Sequence, residues 1–183
     1  MIAEIKLASP TEKNLGSQNE ILQRALEYEK AGADAISCIT EKSVFKGNVK
    51  YIPQIKSKVK LPLLQKDFIL DPYQIYESKI SGADALLLIA KILSGNQLVE
   101  FVNLCFEIGI EPVVEINDEQ DLKMAMKTET KMIAVNARNI DTLKVDLERA
   151  IKLLLKVPEK YIKLGFSGIV TGDEVTKYKK AGA

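Results

Sequence analysis

The feature that most constrains this chain is a repeated joint. Ala31-Gly-Ala-Asp-Ala-Ile and Ser81-Gly-Ala-Asp-Ala-Leu are two copies of one segment, 50 residues apart, and Ala181-Gly182-Ala183 opens a third copy a further 100 residues on. In each copy a helix can end on the glycine, which takes the left-handed turn that a side chain obstructs. In the first two an apolar run follows at once. A chain that reuses one helix-to-strand joint is built from βα units laid side by side.

The remaining sequence keeps the same rhythm. Apolar runs at Ile2–Lys6, Ala35–Thr40, Leu61–Lys66, Ala85–Ala90, Pro112–Ile116, Met132–Asn136 and Tyr161–Leu164 are short and bounded by turn signals, as buried strands are. Between them, Leu98, Phe101, Val102, Cys105 and Ile108 recur at three- and four-residue steps, the spacing of one helix face. Asn19–Ala31, Pro72–Ser81, Glu119–Lys127, Asp146–Lys156 and Gly172–Lys180 also read as helices, and Pro53 limits Asn48–Lys56 to a short one. Strands alternating with helices predict a parallel sheet covered by helices. No Gly-rich dinucleotide loop follows the first strand, so short regular joints favour a closed barrel over an open doubly wound sheet. The expectation is an α/β fold, a TIM (β/α)8-type barrel forming one incomplete domain over residues 1–183, with an eighth strand due where this sequence ends.

Composition removes whole classes of chemistry. The chain has no His, no Trp and two Cys, with 26 Lys+Arg against 25 Asp+Glu. Without histidine there is no Ser–His–Asp or Cys–His nucleophile system and no HExxH metal site. Two lone cysteines cannot assemble a zinc cluster. A net charge of +1 leaves no electrostatic footprint for nucleic acid or an anionic membrane. No apolar run is long enough to span a bilayer, and the N-terminus lacks the pattern of a signal peptide. Cys38 and Cys105 sit in apolar segments and read as buried free thiols, which makes the cytoplasm the expected address. Proton transfer must therefore use Lys, Glu, Asp, Tyr or water.

In barrels of this class the chemistry sits at the C-terminal ends of the strands. Those positions are unusually polar here. Glu4 and Lys6 share one face of the first strand, because side chains alternate with period two. Lys66 closes the third strand, with Phe68 two residues on; Glu115 lies within Val113–Ile116; Asn136 and Arg138 form another alternating pair; and Ser167-Gly168-Ile169 follows the seventh strand. One charged strand end is ordinarily solvated, but five polar ends in one fold must converge on one another or on a ligand.

These residues stand in recognisable motifs. Ile2-Ala-Glu-Ile-Lys with Ser9-Pro10, Pro62-Leu-Leu-Gln-Lys-Asp-Phe68, Gly82-Ala-Asp-Ala-Leu-Leu-Leu-Ile89, Val114-Glu-Ile-Asn117, Asn136-Ala-Arg-Asn139 and Ser167-Gly-Ile169 resemble, in colinear order, the indole-3-glycerol phosphate synthases of tryptophan biosynthesis. The resemblance implies a cofactor-free, metal-free lyase. It would close the ring of 1-(2-carboxyphenylamino)-1-deoxyribulose 5-phosphate, a phosphosugar joined to anthranilate, with loss of carbon dioxide and water. It implies Lys66 as the acid at ring closure, Lys6 as the proton donor to the leaving hydroxyl and a phosphate contact, and Glu4 or Glu115 as the base. Asn136 would contact the ribulose hydroxyls and Arg138 the anthranilate carboxylate. Phe68 and Leu88 would pack the aromatic ring, Ser9 and Gly168 would bind substrate, and Ser167 would belong to the catalytic set, with the backbone amides after it cradling part of the phosphate.

The chain also departs from that family. The family usually has Glu before Ser-Gly-Ile, where this sequence has Phe166. It completes its phosphate site with a Gly-Ser-type loop after an eighth strand, and it has a helical extension before the first strand; this sequence includes neither. Leu7 and Ala137 stand where a basic and a polar residue are commoner. An alternative expectation follows: a truncated, non-catalytic relic or self-assembling fragment that at most binds sugar phosphates, associating through open barrel edges. A related isomerase of phosphoribosylanthranilate fits less well, since that chemistry uses a Cys and Asp pair and no strand-end Cys is suitably placed.

Overall fold

A computed structural model describes residues 1–183. Seven strands alternate with seven α-helices: β1 Ile2–Ile5, α1 Ile21–Lys30, β2 Ala35–Ile39, α2 Tyr51–Lys56, β3 Leu63–Lys66, α3 Pro72–Ser81, β4 Ala85–Ile89, α4 Gly95–Glu107, β5 Glu111–Ile116, α5 Glu119–Ala125, β6 Met132–Asn136, α6 Leu147–Leu154, β7 Ile162–Phe166 and α7 Gly172–Lys180. The strands are parallel and follow one another in chain order, the architecture of a (β/α) barrel with seven of its units.

The chain divides into two compact units, Met1–Leu87 with Leu104–Glu111, and Leu88–Asn103 with Pro112–Ala183. In the first, β1 pairs with β2 and β2 with β3, with Glu4 opposite Ser37 and Lys66 opposite Ile39. Its core is apolar and tight: Ile21, Ile36, Ile52, Ile55, Leu63 and Ile75 are fully buried. In the second, β5 pairs with β6 and β6 with β7, so that Glu115 lies opposite Ala134 and Asn136 opposite Phe166. Helix α6 packs on both β6 and β7.

The repeated joint is built identically each time. Gly32, Gly82 and Gly182 have φ of 82°, 90° and 95°. The following residue donates its N–H five residues back, Ala33 to Tyr28, Ala83 to Ser78 and Ala183 to Tyr178, the bond that closes a helix before the chain turns off. The Asp of each full copy then meets the start of the preceding strand: Asp34 N–H donates to the Met1 carbonyl and Asp84 N–H to that of Leu63, each at 3.0 Å.

Boundaries differ from expectation where local hydrogen bonds intervene. Residues Gln18–Glu20 form a 3-10 turn before α1, because Ser17 and Glu20 make a reciprocal cap there. Helix α6 starts at Leu147, since the Asp146 carboxylate accepts the Arg149 N–H at 2.9 Å and caps it. Helix α5 ends at Ala125, whose carbonyl takes the Thr128 hydroxyl at 2.7 Å. Strand β7 runs two residues beyond the apolar stretch, to Phe166, because its pairing with β6 continues to Asn136. Cys38 and Cys105 are free and fully buried; burial pushes both thiols up to about 12.

Candidate active site

In the first unit the strand-end charges do converge. Period-two alternation puts Glu4 and Lys6 on one side of the chain, and Lys6 Nζ donates to Glu4 Oε1 at 2.8 Å. From the end of β3, 62 residues away in sequence, Lys66 Nζ donates to the other oxygen, Glu4 Oε2, at 2.9 Å. The Glu4 side chain is 27% exposed and that of Lys66 14%. Burial alone would raise the Glu4 pKa; Lys66 and then Lys6 outweigh it and draw the carboxyl down to about 2. One carboxylate thus organises two ammonium groups. Tyr28, reaching from α1, donates its hydroxyl to the Glu4 carbonyl at 3.1 Å and fixes the strand beneath.

The loop after β3 is held by residues that sequence reasoning did not single out. The Asp67 carboxylate accepts the Thr40 hydroxyl at 2.6 Å and the Phe68 N–H at 2.8 Å, while Gln65 Nε2 donates to Thr40 Oγ1 at 3.1 Å. Gln74 Nε2 reaches back to the Phe68 carbonyl at 2.9 Å. Phe68, half-buried, is therefore set two residues beyond Lys66 by bonds on both sides. Burial raises the Asp67 pKa, against the two hydrogen bonds it accepts. Ser9, by contrast, is used locally: its hydroxyl accepts the Glu12 N–H at 3.0 Å and meets Thr11 Oγ1 at 3.2 Å, closing its own turn.

The second unit carries a chain of amides and carboxylates at the ends of β5 and β6. Glu115 is buried, and its Oε1 accepts Asn136 Nδ2 at 3.0 Å. Asn136 Oδ1 in turn accepts the Arg138 N–H at 2.9 Å. The Arg138 guanidinium donates to the Leu143 carbonyl at 2.8 Å, bracing a loop in which Leu143 has φ of 60°. Underneath sits Arg149 of α6, whose guanidinium donates to the carbonyls of Asn117 and Asn136, the latter at 2.8 Å. The Asn117 N–H donates to buried Asp121 at 2.8 Å. Leu88 and Ala137 are fully buried, and in the first unit Leu7 is buried.

At the end of β7 the backbone turns sharply. Ser167 and Gly168 both take left-handed conformations, with φ of 64° and 70°. The N–H groups of Ser167, Gly168 and Ile169 are taken by no acceptor within the protein. Successive free N–H groups in a turn form a concavity suited to an anion. The Phe166 ring is half-buried beside this turn. No group of His, Cys, Asp and Glu is arranged to hold a metal ion, and no helix is long and apolar enough to cross a membrane.

Comparison with known proteins places the chain in a family. The family described as "Indole-3-glycerol phosphate synthase" matches residues 1–183. The chain is 39% identical over 181 residues to the indole-3-glycerol phosphate synthase of Lachnoclostridium phytofermentans, covering 99% of this chain and 67% of that one. It is 42% identical to the enzyme of that name from Caldanaerobacter subterraneus subsp. tengcongensis, over 96% of this chain and 68% of the relative. For that of Endomicrobium trichonymphae the identity is 44%, with 93% of this chain and 66% of the relative covered. The chain thus spans about two thirds of the length of these relatives. Among solved structures, a 3-hexulose-6-phosphate synthase matches with a TM-score of 0.74 at 14% identity, covering 100% of this chain and 85% of that one. The tryptophan synthase complex from Pyrococcus furiosus matches with a TM-score of 0.73 at 17% identity, covering 100% and 83%. The structural likenesses establish the barrel fold, and the sequence matches establish the rest: this chain belongs to the indole-3-glycerol phosphate synthase family, the carboxy-lyases that act in tryptophan biosynthesis.

Proposed function

We propose that the chain closes the indole ring of 1-(2-carboxyphenylamino)-1-deoxyribulose 5-phosphate without a cofactor, releasing indole-3-glycerol phosphate, carbon dioxide and water. The observation that carries the residue assignment is the pair of ammonium groups on Glu4, at 2.8 and 2.9 Å. The reaction needs two proton donations to oxygen. One acid protonates the ketone oxygen as the ring carbon attacks; loss of carbon dioxide then restores aromaticity. A second acid protonates the resulting hydroxyl so that it leaves as water, while a base removes a proton from the adjoining N–C unit. Lys66 supplies the first proton and Lys6 the second.

Glu4 and Glu115 then take different roles. A carboxyl drawn down to about 2 is a weak proton acceptor near neutral pH, which supports Glu4 as the counter-charge that aims both lysines. Glu115, oriented by Asn136 at 3.0 Å, is the base. Asn136 also serves the ribulose hydroxyls. Arg138 suits the anthranilate carboxylate, since a guanidinium fork donates two parallel bonds. Phe68, half-buried and held on both sides by hydrogen bonds, packs the aromatic ring. The free amides of Ser167, Gly168 and Ile169 donate to the phosphate oxygens.

The test is turnover followed by fluorescence of the indole product. Lys66→Ala should lower kcat by about a hundredfold or more while circular dichroism stays unchanged. An unaltered rate in the variant overturns the assignment of the acid. One observation favours a second reading, a non-catalytic member that at most binds sugar phosphates: Phe166 sets an apolar ring where the family usually has a carboxylate. A folded protein that binds phosphate but never forms the indole product would decide for it. Two free, buried thiols support a cytoplasmic location. Strands β1 and β7, each paired on one side only, support self-association through strand edges; a monomer at every concentration in sedimentation would overturn that.

A further inference from the structure

The turn at Ser167 requires a support that the reaction chemistry does not explain. Ser167 is one of three non-glycine residues with positive φ, a conformation that L-residues hold only where surrounding structure over-determines it. Here the Ala137 N–H donates to the Phe166 carbonyl at 2.8 Å, and one side chain reaches the carbonyls on both sides of Ser167. Tyr178 of α7, 3% exposed, directs its hydroxyl at the carbonyls of Phe166 and Ser167, 3.1 Å from each. The Phe166 carbonyl belongs to the peptide that precedes Ser167 and the Ser167 carbonyl to the one that follows. A hydroxyl shared between them pins both peptide planes, and with them φ and ψ of the residue between.

Gly165 makes this reach possible. A Cβ built on Gly165 would overlap the Tyr178 ring, so the ring comes this close to the strand only because position 165 carries no side chain. Glycine within a strand commonly marks such a close approach. Gly165 and Tyr178 therefore act as one device, and what it holds is the segment whose three N–H groups are free.

We propose that Tyr178 is a positioning residue for the anion end of the substrate. It holds Ser167 in the left-handed conformation that turns the amides of Ser167, Gly168 and Ile169 toward a phosphate, and Gly165 is the vacancy that admits its ring. This inference rests on the reading of that turn as the phosphate cradle. It predicts that the Tyr178 hydroxyl sets affinity for the phosphate group and leaves the chemical step to other residues.

The experiment is Tyr178→Phe, which keeps the ring and removes only the hydroxyl, studied by titrating inorganic phosphate while following the backbone amide resonances of residues 167–169. Loss of the hydroxyl shared between the two carbonyls should weaken phosphate binding about five- to tenfold, shift the Ser167 amide in the unliganded protein and leave the melting temperature within a few degrees. In turnover, KM should rise by the same factor with kcat moving much less. A second variant, Gly165→Ala, should displace the ring and weaken phosphate in the same way. Phosphate affinity and a Ser167 resonance both unchanged in Tyr178→Phe overturn the proposal, as does a fall confined to kcat. A wild-type protein in which phosphate shifts none of the three amides overturns it as well. A wild-type protein that binds phosphate at these amides but lacks turnover refutes the lyase reading alone, and the titration still decides the role of Tyr178.

Discussion

Replacing Glu4 with Gln removes one charge and little volume, so its consequence can be worked from the local geometry. The carboxyl falls from its ordinary 4.5 to about 2 in the folded protein, which at about 1.36 kcal/mol for each unit corresponds to about 3 kcal/mol. That figure is an upper one, because Lys6 is 39% exposed and water screens its share. The sign follows from linkage. The folded value lies below the unfolded one, so the stabilisation is fully present above the unfolded value of 4.5 and is lost as pH falls toward 2. Urea unfolding of wild type and Glu4→Gln should therefore show a constant wild-type advantage between about pH 7 and about pH 5.5, shrinking by about 2 kcal/mol by about pH 3. Other carboxylates titrate in both proteins and cancel in the difference. A difference that does not change with pH would show that Glu4 is not ionised against the two lysines, and the assignment of its role would fall with it.

Three further outcomes are expected. Both thiols, fully buried and pushed up to about 12, should resist a thiol-reactive dye in the native protein at mildly alkaline pH and react together once it is unfolded; prompt reaction of either would contradict their burial. Gly82→Ala should lower stability in urea by about 1 kcal/mol, since φ is 90° and no atom lies within 4 Å of the new Cβ, leaving a backbone effect alone. Gly32→Ala, at φ of 82°, should cost about the same, and the two should add to within about 0.5 kcal/mol. Phe166→Glu should raise kcat for the ring closure by about tenfold or more; an unchanged rate would remove Phe166 as a limiting difference from the family.

The fold was legible because its strongest signal is local and repeated. Gly32 and Gly82 punctuate helix ends with a chemistry that does not depend on distant residues, and the structure reproduces their hydrogen bonds copy by copy. The charged strand ends were legible for a related reason. Glu4, Lys6 and Lys66 break an apolar pattern, and a broken pattern is visible without knowing which atoms meet. That Glu4 takes both lysines, at 2.8 and 2.9 Å, could not be read, because it depends on β3 lying two strands from β1 and on a register the sequence does not state. The helix boundaries moved for the opposite reason: Ser17, Asp146 and Thr128 each satisfy a backbone group through one side-chain bond, and such bonds leave little trace in periodicity.

Asp67, Arg149 and Tyr178 show what kind of residue escapes a reading of this sort. None breaks a pattern. Asp67 stands in a polar turn, Arg149 lies on a helix where charge is ordinary, and Tyr178 fills an apolar position as any large residue would. Their importance comes from where the far end of each side chain arrives. Asp67 accepts the Phe68 N–H, Arg149 donates to the Asn136 carbonyl, and Tyr178 bonds both carbonyls around Ser167. Each acts on the backbone of a residue that would touch substrate, so it sets geometry without taking part in the reaction. A sequence pattern records what a position requires of its own side chain, and in these three cases the requirement belongs to a different position. Gly165 is the exception that could have been noticed: a glycine inside a strand signals close approach, and a search for the bulky residue approaching it leads directly to Tyr178.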